Sequence, residues 1–506
     1  MQEEERRKLN LLLLVVIPSL FWLKAVEKTE TLAVPKWQAM WHILQHTGEK
    51  PILLIAAVSG LIVAGLLIWT IEHLSKLEFE GGYFKKFLRG TSIVSSDKLK
   101  NLTREKHEQV TIAGIPVPTS IENLHLLVAG STGSGKSVLI RELVYKALLR
   151  GDRMIIADPD GDMLSKFWRE GDIILNPYDA RTEGWSFFNE IRNEYDFKRY
   201  ALSLVPRGQT KEAEEWASYA RLLLRETARK LYLTDTPSMQ KLFWWTTIAE
   251  PDELKNFLSG TDAESLFVGA TRALASARFV LSDKLPEHVN MPKGNFSLRK
   301  WLEDPKGKNL FITWREDMAE SLKPLISAWV DVLCTSILSL SDNEDRRLWL
   351  TLDEIASLEK LASLKSALTK GRKKGLRVIA GLQSTAQLEE IYQKQEAQTL
   401  RACFRSLVVL GGAKTDPMTC EDMSKSLGEH EVERDRQSKS SNSKNNGTST
   451  SIVLDRAREP VVMSSQIASL PELTGYVAFA GDRPIAKIKL EVLRFANRID
   501  AFCERT

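Results

Sequence analysis

The stretch "NLHLLVAGSTGSGKSVLIRELVYKALLRGD", residues 123–152, holds the spacing Gly130-x-x-x-x-Gly135-Lys136-Ser137. Residues of these types at this spacing do phosphate chemistry. The apolar run 124–129 predicts a strand, and the residues after Ser137 predict an amphipathic helix ending near Gly151. Glycines let backbone N–H groups wrap a polyphosphate at a helix N-terminus, which already favours anions. The expected cradle is Gly130, Ser131, Thr132, Gly133, Ser134, Gly135, Lys136, Ser137 and Val138. Lys136 would reach the outer phosphates and the Ser137 hydroxyl would ligate Mg²⁺, so ATP and Mg²⁺ are the expected cofactors. A chance glycine-rich turn is the bland alternative, and the strand before and helix after argue against it.

Hydrolysis needs acids on a second strand. "LWLTLDE", 348–354, ends an apolar run in Asp353-Glu354. Asp353 would hold the Mg²⁺, directly or through water, and Glu354 would polarise the attacking water. Such a dipeptide can also be a simple helix cap. Gln383 closes the next strand, where it would sense the γ-phosphate or be merely a polar strand end. "TKGRKKGLRV", 369–378, sets Lys370, Arg372, Lys373 and Lys374 around two glycines. As charges near a helix C-terminus they contribute only about 0.3–1 kcal/mol. In a ring, the same turn would lend a cation to a neighbour's nucleotide.

The elements that must position these residues follow from periodicity. Strands are expected at 153–158, 172–176, 309–314, 376–384 and 406–412, mostly separated by helices. That alternation predicts an α/β core with a mostly parallel sheet covered on both faces. A helix is expected over 357–370, with Leu358, Leu361, Leu364 and Leu368 on one face. Between 184 and 299 the strand signals stop and helical periods take over, predicting an inserted all-α domain. Its Trp216, Phe243, Trp244 and Trp245 suit a core better than base stacking. Residues 434–451 are polar and low in complexity, expected to be a loop, and 476–490 read as a hairpin turned at Gly481-Asp482.

The chain has 506 residues, enough for two or three domains, with 43% hydrophobic and 27% charged residues. Its net charge of +4 does not announce a nucleic-acid binder, so any basic surface must be local. Cys334, Cys403, Cys420 and Cys503 are scattered without a CxxC, the pattern of reduced thiols. Residues 51–71 carry no charge and suffice to cross a hydrocarbon core. The run 9–23 precedes them without a small-residue cleavage site, so an uncleaved two-helix transmembrane hairpin is expected. Ala56, Gly60 and Ala64 recur every four residues, a face suited to close helix association. Arg6, Arg7 and Lys8 before the first run, and Lys76, Lys85, Lys86 and Arg89 after the second, favour both ends inside. His42 and His46 stand one helical turn apart but lack a third metal ligand. The expected division is 1–71 for the hairpin with a small external loop, 72–183 and 300–506 for the nucleotide-binding domain, and 184–299 for the all-α insertion.

In their order, "AGSTGSGKSV", "NPYDARTEGW" (176–185), the helical insertion, "LTLDE", "GRKKGLRVIAGLQS" and "GYVAFAGDRPIAKIK" behind two spans resemble the type IV secretion coupling proteins, the TraD/TrwB group of conjugative DNA pumps. The resemblance covers nearly the whole chain and is greatest to the short, TrwB-like members. It implies a RecA-like P-loop motor in a homohexamer, anchored through the lipid bilayer of the bacterial inner membrane with its ATPase part cytoplasmic. It implies DNA, single- or double-stranded, relaxase and relaxosome proteins, and inner-membrane components of the secretion channel as partners. It also places Arg372 where the family has its arginine finger. Two rivals share these motifs: a chromosomal DNA translocase, which usually carries a winged helix not visible here, and a receptor whose ATP binding controls assembly.

Overall fold

The computed structural model describes residues 3–29, 41, 43–44, 47–75, 86–234, 237–268, 271–442 and 447–505. His42, His46 and most of the loop between the two apolar runs lie outside the described residues. Contacts divide the chain into two compact units, Met1–Phe87 with Val432–Ala457, and Leu88–Glu431 with Arg458–Thr506.

In the first unit, α1 (Glu3–Thr29) and α2 (Pro51–Ser75) are both long and apolar enough to cross a membrane. They pack along one another at small residues: Ala64 is fully buried, and a Cβ on Gly60 would approach Pro18 Cα to 2.6 Å. Close approach of this kind is what holds apolar helices together where lipid is as apolar as leucine. Trp22 Nε1 donates to Thr47 Oγ1 at 3.0 Å near the top of the hairpin.

The second unit is built on ten strands: β1 (Ile93–Val94), β2 (Leu126–Ala129), β3 (Arg153–Pro159), β4 (Ile173–Leu175), β5 (Leu310–Trp314), β6 (Leu348–Leu352), β7 (Leu376–Leu382), β8 (Ser406–Leu410), β9 (Thr474–Ala478) and β10 (Ile485–Lys489). Their order across the sheet is β1-β10-β9-β8-β2-β7-β6-β3-β5-β4. From β8 to β4 every neighbour is parallel; β9 runs antiparallel to both β8 and β10. Both faces are covered, so alternate residues of β2 enter different cores: Leu127 and Ala129 one, Leu126 and Val128 the other. Burial of each such leucine or valine contributes about 1.5–3 kcal/mol.

Helices bridge the strands. α3 (Lys136–Leu149) follows β2. Between β4 and β5 the chain is helical, with α4 (Lys211–Thr234) and α5 (Thr271–Lys284) as its longest pieces. Leu223, Leu224, Ala228 and Leu231 share its core with Leu274, Ala277 and Leu281. Trp245 stacks on Phe257 at 4.1 Å and Phe243 packs on the same core, while Trp244 remains 40% exposed. The helical stretch opens and closes at one place, where Trp185 bridges Phe296. α6 (Ala319–Leu338) then leads toward β6.

Two expectations fail locally. The run 357–370 is not one helix; only α7 (Leu364–Lys370) is regular, preceded by a tight turn at Ile355–Ser357. The N–H groups of Glu359, Leu361 and Ser363 go instead to Ser327 Oγ, the Tyr392 hydroxyl and Asp331 Oδ1, at 2.8, 3.1 and 2.6 Å. Side chains that outbid the helix ladder for its donors break it. Within the polar run expected to be a loop, residues 434–442 and 447–451 lie in two paired strands, Glu429–Asn442 and Gly447–Pro460, and 443–446 fall outside the described residues.

Candidate nucleotide site

β7 lies between the P-loop strand β2 and the acidic strand β6, all three parallel. Their C-terminal ends therefore open on one side, where open α/β sheets bind ligands. The loop after β2 folds tightly: Ser131 N donates to Gly411 O at 2.9 Å, and Gly133 and Gly135 sit at φ 77° and 108°. α3 starts at Lys136, so the N–H groups of its first turn have no acceptor within the helix. Lys136 is buried, with Nζ on the carbonyls of Gly130 (2.8 Å) and Ser131 (3.4 Å). Burial lowers its pKa, while Glu354 and Asp353 oppose the shift.

Lys136, Ser137, Asp353, Glu354 and Gln383 lie together at this edge. The Ser137 hydroxyl donates to Asp353 Oδ2 at 3.1 Å, a hard-oxygen pair of the kind that binds Mg²⁺. The Thr132 hydroxyl donates to Gln383 Oε1 at 3.2 Å, tying the end of β7 to the loop. Glu354 Oε1 accepts from Ala356 N at 3.4 Å, and its Oε2 is buried without a hydrogen-bond partner. Burial pushes its pKa up to about 7 against the pull of Lys136. A cleft of about 620 Å³ opens beside Glu354 and Gln383, lined also by Gln209, Lys323 and Gln387.

Asp158, at the C-terminal end of β3, escaped the sequence reading. Its carboxylate accepts from Met163 N (3.0 Å) and Leu164 N (2.7 Å), yet complete burial raises its pKa to about 7, helped by Asp162 and Asp353. The run "DPDGD" was the available signal. Asp158 thus favours the folded state below about pH 4 and loses that contribution as pH rises through about 7, because the unfolded chain gives up its proton first. Asp158→Asn should flatten the fall in urea-unfolding free energy between about pH 4 and about pH 7, a fall on the order of 2–4 kcal/mol. An equally steep fall in the variant would clear Asp158 of it.

Arg372 stands apart. It is exposed in the tight turn Gly371–Lys374, at the N-terminal end of β7, whereas Gln383 is at the other end. Seven residues of strand put roughly 20 Å between them. Arg372 cannot serve its own P-loop. Among the described residues it forms no ion pair, whereas Lys374 is held by Asp342 at 2.7 Å. The turn ends at Gly375, φ 80°, where a Cβ would collide with the Arg346 carbonyl oxygen. Gly375→Ala should therefore cost at least about 2 kcal/mol in urea unfolding; a loss below about 0.5 kcal/mol would mean that the turn yields easily.

A P-loop on a parallel sheet, an acidic strand two places away and a polar residue ending the strand between them define a RecA-like P-loop nucleotide-binding protein. Residues 109–491 match the type IV secretion-system coupling protein DNA-binding domain. The chain belongs to the family of type IV secretion-system coupling proteins. It is 30% identical over 462 residues to the coupling protein TraD of Escherichia coli (strain K12), a match covering 87% of this chain and 62% of TraD. The chain thus spans about three fifths of that relative's length. The conjugal transfer protein TraG of Agrobacterium fabrum is 27% identical over 35% of this chain and 27% of its own. Among solved structures, the unbound bacterial conjugative coupling protein TrwBdeltaN70 is 68% identical with a TM-score of 0.80, covering 85% of this chain and all of that one. TrwB in complex with ADP and Mg²⁺ matches at 68% identity and a TM-score of 0.79 over the same shares.

Proposed function

We propose that this protein is a DNA-dependent ATPase that couples a relaxosome to a type IV secretion channel during conjugative transfer. The observation that carries the reading is the convergence of Ser137, Asp353, Glu354 and Gln383 on the P-loop. The TrwB complexes with ADP and Mg²⁺ and with a non-hydrolysable ATP analogue support ATP and Mg²⁺ as the cofactors. When bound, they supply the scissile phosphoanhydride and neutralise its charge. Ser137 and Asp353 hold the metal side, and Gly130–Val138 wrap the phosphates. Lys136 exchanges its two carbonyl partners for phosphate oxygens. Glu354 takes the proton of the attacking water, and Gln383 reports on the γ-phosphate through the Thr132 contact. Arg372 completes a neighbour's site, which calls for a closed homohexamer.

In this reading α1 and α2 anchor the chain by two spans in the bacterial inner membrane, with the ATPase part cytoplasmic. Relaxase proteins, DNA and the channel's inner-membrane components are its partners. The chain divides at 71, 183 and 299, a division supported by the arrest of strands between Leu175 and Leu310 and by the bridge at Trp185.

The test is ATP hydrolysis by residues 72–506 with and without single-stranded DNA over a range of protein concentrations. Turnover that rises with DNA, and more than linearly with protein, is the expected outcome. Turnover indifferent to DNA across salt concentrations would favour a receptor over a motor.

A further inference from the structure

One ring grips both arms of the turn that carries Arg372. His125, the residue before β2, donates Nε2–H to the Leu368 carbonyl at 2.8 Å and accepts the Val378 N–H at Nδ1 at 3.1 Å. Leu368 lies in α7 just before the turn, and Val378 in β7 just after it. A carbonyl only accepts and a backbone N–H only donates, so the two bonds together fix the neutral Nε2–H tautomer. The ring is 1% exposed and lies edge-on to Phe404 at 6.2 Å. Burial lowers its pKa to about 4, and the charges of Arg372 and Arg377 push the same way. The His125 backbone sits at φ 63°, a conformation that costs a side-chain-bearing residue about 1 kcal/mol or more and survives only where its surroundings hold it.

The rest of the turn is equally pinned. Lys373 O accepts from Asn343 N at 2.7 Å and Lys374 O from the Arg346 guanidinium at 2.8 Å. Gly375 O accepts from Arg377 at 3.0 Å, and Arg377 is in turn held by the buried Glu122 at 2.8 Å. The backbone of the turn is thus held, while among the described residues the exposed side chains of Lys370, Arg372 and Lys373 form no hydrogen bond or ion pair. A rigid base under an unpaired cation is how a protein presents a charge to something outside itself.

We propose that His125 is the positioning residue for Arg372, setting the turn from which the guanidinium reaches the neighbouring subunit's nucleotide. The same residue enters β2, so one ring joins the strand that feeds a subunit's own P-loop to the cation that the subunit lends away. This rests on the trans role of Arg372 proposed above.

Mixtures of full-length variants in lipid separate the possibilities. Lys136→Ala lacks a working P-loop but keeps its Arg372 turn. His125→Ala should lose about 10–100-fold in kcat at an unchanged KM for ATP. Activity should return when it is mixed with Lys136→Ala but not when it is mixed with Arg372→Ala, and the double variant should be no slower than Arg372→Ala alone. His125→Gln, whose amide can still meet the Leu368 carbonyl, should lose less, and it is used in the same mixtures if His125→Ala does not fold. A raised KM with kcat intact, no recovery with Lys136→Ala, or a multiplicative double variant would overturn the proposal. Failure of Arg372→Ala itself to recover with Lys136→Ala would instead sink the trans role, and this inference with it.

Discussion

Glu354→Gln should slow ATP hydrolysis by about 10²–10⁴-fold, the usual contribution of a positioned general base, while ATP stays bound. The glutamine keeps the shape and the contact to Ala356 N but cannot take a proton. The site is prepared for a base: one carboxylate oxygen is buried with no partner of its own, on a residue one strand removed from the P-loop. The check is twofold. Single-turnover hydrolysis should collapse while binding of a fluorescent ATP analogue persists, and conjugative transfer should stop. Transfer that survived in the variant would refute ATP-driven pumping, leaving a receptor that needs only to bind nucleotide.

Arg372→Ala should cost more, about 10³–10⁵-fold, if the arginine is worth what a trans-acting arginine is worth in GTPases. The expectation comes from where the residue is. It sits a full strand length from its own Gln383, exposed, on a backbone that Asn343, Arg346 and Arg377 hold still. Arg372→Lys should recover little, because an ammonium lacks the planar fork that grips two phosphate oxygens. A loss below tenfold, or full activity at protein concentrations too low for assembly, would return the turn to the role of a charged helix end.

The P-loop and acidic-strand half of the candidate site was legible because phosphate chemistry dictates residue type and spacing together. Gly130 to Ser137 and Asp353-Glu354 each follow an apolar run, and the parallel sheet brings them to the same edge. Gln383 was legible by position, as the end of the strand between them. What was not legible depends on partners distant in sequence. His125 meets residues 243 and 253 positions away, and Glu122 meets Arg377 across 255. The helix expected over 357–370 had the right leucine spacing, and Leu358, Leu361, Leu364 and Leu368 are all buried. Side chains of Ser327, Asp331 and Tyr392 took its backbone donors, which no local pattern announces. Residues 434–442 and 447–451 of the polar run formed strands without any apolar alternation to signal them.

The bridge between Trp185 and Phe296 has a consequence for how such chains diverge. A stretch whose two ends meet at one point closes, for the sheet, as a single long loop. Closing a longer loop adds only about 0.6 kcal/mol per doubling of its length. Lengthening or shortening residues 186–295 between relatives therefore asks the core to accept two junctions and to keep the contacts that stretch makes with it, among them Ser203 to Asp331, Gln209 to the Ile391 carbonyl and Lys284 to Glu359. Length changes at the tips of that stretch, away from those contacts, leave the sheet and its phosphate edge as they were.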